Sequence, residues 1–203
     1  MLSDREVGRF VRVCLRVDEK GGDASEPERD EAADAWGALY QHYFPLVAGF
    51  CRRTLVGEDG EDLANEILLK ARFRLATFDP TRRFSPWLFQ VAANRCWDEA
   101  RRRRRSEPLD DEREQLPSGE PDPLELLITN EDRRRVQEAL TRLPLRQRLA
   151  LGLRYAGGLN YREIAESLGV TPGNVGVILL RGRRRLRRVL AESSGRMSLN
   201  TES

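Results

Sequence analysis

Apolar side chains recur along this 203-residue chain at spacings of three and four, and no stretch holds the alternation of a strand. Ser3, Asp4, Arg5 and Glu6 have capping-box form, and Val7, Phe10, Val11, Cys14 and Val17 follow at helical spacing. Gly21, Gly22 and Pro27, set among charged residues, predict a mobile loop over residues 21–30. The next helical run, residues 31–43, puts Trp36, Leu39, Tyr40 and Tyr43 on one face. Pro45 suits the start of a further helix through Val47, Phe50, Cys51 and Leu55. Gly57 and Gly60 interrupt it, and Asp59 or Asp62 can cap a third run carrying Leu63, Ile67, Leu68, Ala71 and Leu75. Asp79 and Pro80 close that run. Residues 84–105 then line up Phe84, Trp87, Leu88, Val91, Ala92 and Arg95 before ending in five consecutive arginines.

A different pattern fills residues 106–123, where Pro108, Pro117, Pro121 and Pro123 stand among carboxylates with too little apolar surface to order a segment. It reads as a linker. Periodicity resumes at Leu124, Leu127, Ile128, Val136, Leu140 and Leu143, and Pro144 restarts the chain into residues 145–155. Gly157 and Gly158 end that helix. The pattern predicts an all-α protein: a helical domain over residues 1–105, an acidic flexible linker over 106–123, a second helical domain over 124–192 and a disordered tail over 193–203.

Composition sharpens this picture. With 39% hydrophobic and 33% charged residues, several small helical units fit better than one deep core. The formal net charge of +2 hides a strong asymmetry. Arginines 101–105 and a second set (Arg181, Arg183, Arg184, Arg185, Arg187, Arg188) flank a connector with eight carboxylates between residues 106 and 127, against Arg113 alone. An aromatic helix ending in arginines can hold a nucleic-acid backbone and offer flat rings to bases, although an arginine run by itself also makes a solvated tail. Cys14, Cys51 and Cys96 are far apart within apolar patterns, with no CxxC pair and only His42 as a histidine, so they read as reduced core cysteines with no metal role. Arg5, Arg9, Arg12 and Arg16 interrupt the first apolar residues, which argues against a signal peptide there. No apolar run approaches the roughly 20 residues of a membrane span. The expected setting is cytoplasmic.

The second half carries a recognisable local design. Asn160 can cap a short helix with Ile164, Ala165 and Leu168 inward, Gly169 permits a left-handed turn, and Val170 plugs the core. Thr171 caps a second helix with Pro172 at its first position. Val175, Ile178 or Leu179, and Leu186 supply its inner stripe. Helix, glycine turn and capped helix make a helix-turn-helix, whose second helix enters the major groove. Arg181, Arg183 and Arg184 would then sit where phosphate contacts fix register, Arg162 could touch backbone, and Asn174 is the base-edge candidate.

With these blocks in view, the chain resembles bacterial RNA polymerase sigma factors, and most of all the small extracytoplasmic-function group of the sigma-seventy family. Asp62-Leu-Ala-Asn-Glu66 with Leu69-Lys70 is similar to the family's core-binding helix. Phe84-x-x-Trp87-Leu88, Ala92-x-Asn94, Asp98 and Arg101-Arg102 resemble its minus-ten helix. Leu143-Pro144, Tyr161-x-x-Ile164-Ala165 and Leu168-Gly169-Val170 resemble its minus-thirty-five domain.

The resemblance implies that Asp62, Leu63, Asn65 and Glu66 face core RNA polymerase. It implies that Arg82, Arg83, Phe84, Trp87, Asn94, Arg95, Asp98, Arg101 and Arg102 meet the minus-ten element, with residues 79–83 placed where a flipped nontemplate base is captured. Phe84 and Trp87 have packing as a competing role. Arg162, Thr171, Asn174, Ile178, Arg181, Arg183 and Arg184 would meet the minus-thirty-five element. The implied partners are core polymerase and promoter DNA, both duplex and melted nontemplate strand, and the resemblance admits an anti-sigma factor as a further partner. It implies no cofactor, and an acidic linker that follows the polymerase's RNA path or serves as a plain spacer.

Two departures stand out: Asn65 replaces the family's usual glutamine, and Gly176, Val177 and Ile178 replace basic or hydroxyl side chains of the reading helix. The expected function is a non-enzymatic specificity subunit that directs polymerase to promoters and helps melt them. The alternatives are a helix-turn-helix regulator acting without polymerase, and a DNA-processing enzyme such as a recombinase. The latter would need a catalytic serine or tyrosine among arginines in an α/β fold.

Overall fold

A computed structural model describes residues 2–55, 60–104 and 130–198; Asp59, the acidic connector and the last five residues lie outside them. Eight α-helices and two short 3-10 turns account for the regular structure, with no strand among the described residues. The helices are α1 (Asp4–Lys20), α2 (Glu26–Thr54), α3 (Gly60–Phe73), α4 (Phe84–Arg104), α5 (Asn130–Thr141), α6 (Leu145–Tyr155), α7 (Tyr161–Leu168) and α8 (Pro172–Ser198).

Helix α1 starts on the expected capping box, with the Ser3 side chain and Glu6 bonded reciprocally. It packs along α2, which packs in turn on α3 and α4. Arg72 clamps Asp18 through two 2.8 Å hydrogen bonds, fastening α3 to α1.

Two expectations about the first half are corrected. Residues 21–30 are not a long loop. A single 3-10 turn (Gly21–Asp23) leads to Ser25, whose capping box with Glu28 opens α2 with Pro27 in its first turn. Arg29 donates to the Gly22 carbonyl at 2.9 Å and pins the turn. Nor does Pro45 start a new helix: α2 runs through it unbroken. Leu39 and Tyr43 before the proline and Val47, Phe50 and Cys51 after it stay on one buried face, while Pro45 itself is exposed. Continuous burial offsets an internal proline's cost of about 3 kcal/mol.

The second half obeys its local signals closely. Asn160 accepts from the Arg162 and Glu163 backbone N–H groups, Glu163 closes the capping box, and Gly169 is left-handed at φ 63° and ψ 40°. The Thr171 hydroxyl accepts from the Asn174 N–H at 3.4 Å. Val175, Leu179 and Leu186 are the buried stripe of α8, so Leu179 rather than Ile178 fills that register. Gly182 lets α8 lie against Leu151 and Gln147 of α6, where an added Cβ would come within 3.2 Å. Helix α8 continues to Ser198, through the first part of the expected tail.

The two helical halves are packed together. Helix α2 meets α5 and α6, and α4 meets α6 and α7. The seam closes on backbone: a Cβ at Gly152 would stand 2.7 Å from the Phe50 ring, and one at Gly157 would stand 2.9 Å from Phe89. The Ser85 hydroxyl donates to the Gly157 carbonyl at 3.1 Å, and Arg146 lies over Trp97 at 5.5 Å.

Candidate nucleic-acid and polymerase interface

Helix α4 is covered on nearly every side. Through Arg102, its exposed side chains are Asn94, Asp98, Arg101 and Arg102, at spacings that put all four on one edge. Phe84 is buried and Trp87 half-buried. With Phe78 and Tyr43 they form a ring cluster, Phe78–Phe84 at 5.6 Å, Phe78–Trp87 at 5.3 Å and Tyr43–Phe84 at 5.4 Å. Packing is therefore the main work of these aromatics. Burial pushes the Tyr43 phenol up to about 12, so a neutral ring supports the loop above it.

That loop, residues 79–83, is built by Asp79. One carboxylate oxygen accepts from the Thr81 N–H at 2.9 Å and from its hydroxyl at 2.6 Å, and these bonds hold the carboxyl below its ordinary range. The turn leaves Arg82 and Arg83 exposed. Arg82 stands 3.6 Å from Asp79, and Arg83 stands 3.8 Å from Asp4. Beyond them opens a cleft of about 620 Å³ whose near wall includes Phe78, Arg82, Arg83 and Trp87 and whose far wall is α7, with Arg162, Glu163 and Glu166. Arg162, expected on the first helix of the helix-turn-helix as a backbone contact, lines this cleft together with the loop.

Arg95, expected at the strand-contacting edge, is held by carboxylates instead. Its Nε and Nη2 donate to both Glu66 oxygens at 2.7 and 2.8 Å, and its Nη1 donates to Glu99 at 2.9 Å. Glu99 also accepts from Arg102 Nε at 3.2 Å and Nη2 at 2.6 Å. Its side chain is 2% exposed. The bonds from Arg102 and then Arg95 outweigh the lost hydration and hold the Glu99 carboxyl below the usual range, and the Arg95 bonds do the same for Glu66.

On α3, Asp62, Asn65 and Glu66 are exposed, whereas Leu63 is buried at 3% and faces the core. Leu63 therefore lies beneath the exposed edge that Asp62, Asn65 and Glu66 form. The exposed stripe continues through two apolar residues, Leu69 of the quoted motif at 58% and Phe73, which the sequence reasoning did not name, at 80% exposed. Their spacing from Asn65, at i+4 and i+8, was the available signal. The Tyr40 hydroxyl donates to Asn65 Oδ1, so the asparagine is already oriented by α2.

On α8, the exposed positions of the first turns are Pro172, Gly173, Asn174 and Val177; Ile178 is half-buried. Thr171 is exposed but occupied as a cap, and Arg181, Arg183 and Arg184 are half-buried. Asn174 and Val177 thus lie on the outer face; Val177, one of the departures on this helix, was not among the contact candidates.

An aromatic helix with one polar edge, joined to a helix-turn-helix, fits a protein that binds nucleic acid. Residues 39–106 match the family described as Sigma-70 region 2, and residues 133–186 match Sigma-70, region 4. The chain is 32% identical over 157 residues to the extracytoplasmic-function RNA polymerase sigma factor RpoE of Cereibacter sphaeroides, covering 75% of this chain and 83% of that one. Among solved structures, CnrH in complex with the cytosolic domain of CnrY superposes with a TM-score of 0.61 at 21% identity, over 92% of this chain and 98% of that one. The sigma factor RpoE of Bartonella quintana, in complex with the anti-sigma factor NepR, gives 0.59 at 24% identity, over 77% and 96%. These two share the fold. The chain belongs to the sigma-70 family of RNA polymerase sigma factors, in its extracytoplasmic-function group, and directs polymerase to promoters for transcription initiation. Among the described residues no helix is long and apolar enough to cross a membrane.

Proposed function

We propose that this sigma factor acts in the cytoplasm without catalysis of its own, through three surfaces. The first is the α3 stripe of Asp62, Asn65, Glu66, Leu69 and Phe73, which docks on core polymerase. The second is the 79–83 loop with Asn94, Asp98, Arg101 and Arg102, which holds the separated nontemplate strand at the minus-ten element. The third is the outer face of α8, Asn174 and Val177, which reads the minus-thirty-five element while the half-buried arginines behind it lie toward phosphates. The domains that carry them span residues 1–105 and 124–192.

The observation that carries this reading is the single open edge of α4. Through Arg102, the fully exposed side chains of this largely buried helix are Asn94, Asp98, Arg101 and Arg102, residue types suited to a polyanion and to unstacked bases. Seizing a strand there offsets part of the stacking lost when the duplex opens. The complex of the Bartonella quintana sigma factor with its anti-sigma factor supports a partner of that kind here.

The test is reconstitution with core polymerase. The chain should co-elute with core and direct run-off transcription from a promoter drawn from its genome. Replacing Arg101 and Arg102 together with alanine should lower open-complex formation and flatten its salt dependence, by about 0.7 in log–log slope for each strand phosphate no longer neutralised. Specific DNA binding and regulation without core association would overturn the reading.

A further inference from the structure

Four charged side chains run in alternation across the surface from α3 to the end of α4: Glu66, Arg95, Glu99 and Arg102. We propose that Glu99 is a positioning residue for promoter opening. Its concealed carboxylate holds Arg102 on the open edge of α4 for a DNA phosphate, and Arg95 ties that carboxylate to the polymerase-facing Glu66. The inference rests on the three-surface reading above.

The geometry argues for orientation rather than stability. Arg102 is 76% exposed, and exposed ion pairs add little to folding. Position 99 lies between buried Cys96 and buried Ala100, where an aliphatic residue would cost no lost carboxylate hydration. A carboxylate at this point is explained by what it grips. It takes Nε and Nη2 of Arg102, and the guanidinium's remaining N–H groups stay available to an oxyanion. An arginine fixed in this way has already given up much of the side-chain freedom that phosphate binding would otherwise remove.

The far end of the run is equally specific. Arg95 grips Glu66 with a two-pronged bond and Glu99 with its third nitrogen, so the docking edge of α3 and the strand edge of α4 share one side chain. The same charges set a counter-prediction: a carboxylate beside Arg102 weakens long-range attraction to DNA, so its benefit must appear in geometry and not in bulk affinity.

The experiment uses full-length protein with core polymerase on a promoter template, comparing Glu99→Gln, Arg102→Ala, the double variant and Glu99→Asp. Glu99→Gln should keep core affinity and bind nonspecific duplex at least as well, yet form about fivefold fewer open complexes by permanganate reactivity. In the Arg102→Ala background the same change should have no further effect, because Glu99 acts through Arg102. Glu99→Asp, which keeps the charge and a foldable helix, should recover part of the loss. An equal loss in both backgrounds would assign Glu99 a merely structural role and overturn the proposal, as would Glu99→Gln opening promoters like the unaltered protein. Failure of the unaltered chain to form holoenzyme would instead strike the underlying reading, before any variant is compared.

Discussion

Leu63 shows how one residue divides two kinds of importance. It sits in the motif that resembles the family's core-binding helix, and its side chain points into the first domain. Leu63→Ala should lower folding stability by about 2–5 kcal/mol, as a cavity in a packed core does. It should leave polymerase affinity per folded molecule unchanged. Phe73→Ala should do the reverse, with a small change in thermal melting and a clear loss of core binding by fluorescence anisotropy. Weakened binding by well-folded Leu63→Ala would return that residue to the docking edge. At this scale spacing grouped Leu63 with Ile67, Leu68 and Ala71 on an apolar stripe, while the resemblance set it beside Asp62, Asn65 and Glu66 as a contact, and the structure puts its side chain in the core. That depends on the register of α3 against α2, where Gly60 allows contact so close that an added Cβ would meet Arg52 and the Ala48 carbonyl.

Elements were more legible than residues where the signal was local, and less so where it was not. The caps at Ser3 and Asn160 and the left-handed Gly169 follow from side-chain chemistry within four positions, and each stands as expected. Pro45 misled because its penalty is local while the compensation comes from neighbouring helices. Residues 21–30 misled for a different reason: glycine and proline drew attention away from Ser25 and Glu28, a capping box in plain view. The reading helix is an intermediate case. Its inner stripe was predictable, but the choice between Ile178 and Leu179 was settled only by packing. Its outer face makes a definite prediction. Asn174→Ala should relax preference at one upstream base pair by about 1–3 kcal/mol, measured by competition across single-base promoter variants. A uniform loss across all variants would mean that Asn174 touches backbone.

The whole molecule adds something no segment reveals: the halves meet along a seam. Gly152 lies inside α6, where alanine would be favoured by roughly 1 kcal/mol, yet its Cβ would press into Phe50 of the other half. Gly152→Ala should therefore leave the second half at least as stable and loosen the packed arrangement. Donor and acceptor dyes on the two halves should report lower energy transfer in the free protein. Unchanged transfer would mean that Phe50 yields without separation. Periodicity implied two bundles but not that they touch, because contact across a seam depends on the bundles' outer shapes.

The composition of that seam bears on how such a protein can change over time. Gly152, Gly157, Phe50, Phe89 and Ser85 close it, and none of them lies on the open edge of α4 or the outer face of α8. If these residues read DNA as proposed, substitutions at Asn94, Asp98, Asn174 or Val177 would alter promoter preference without disturbing how the halves pack. A lineage duplicating this gene could shift the DNA text each copy reads while keeping the same folded body.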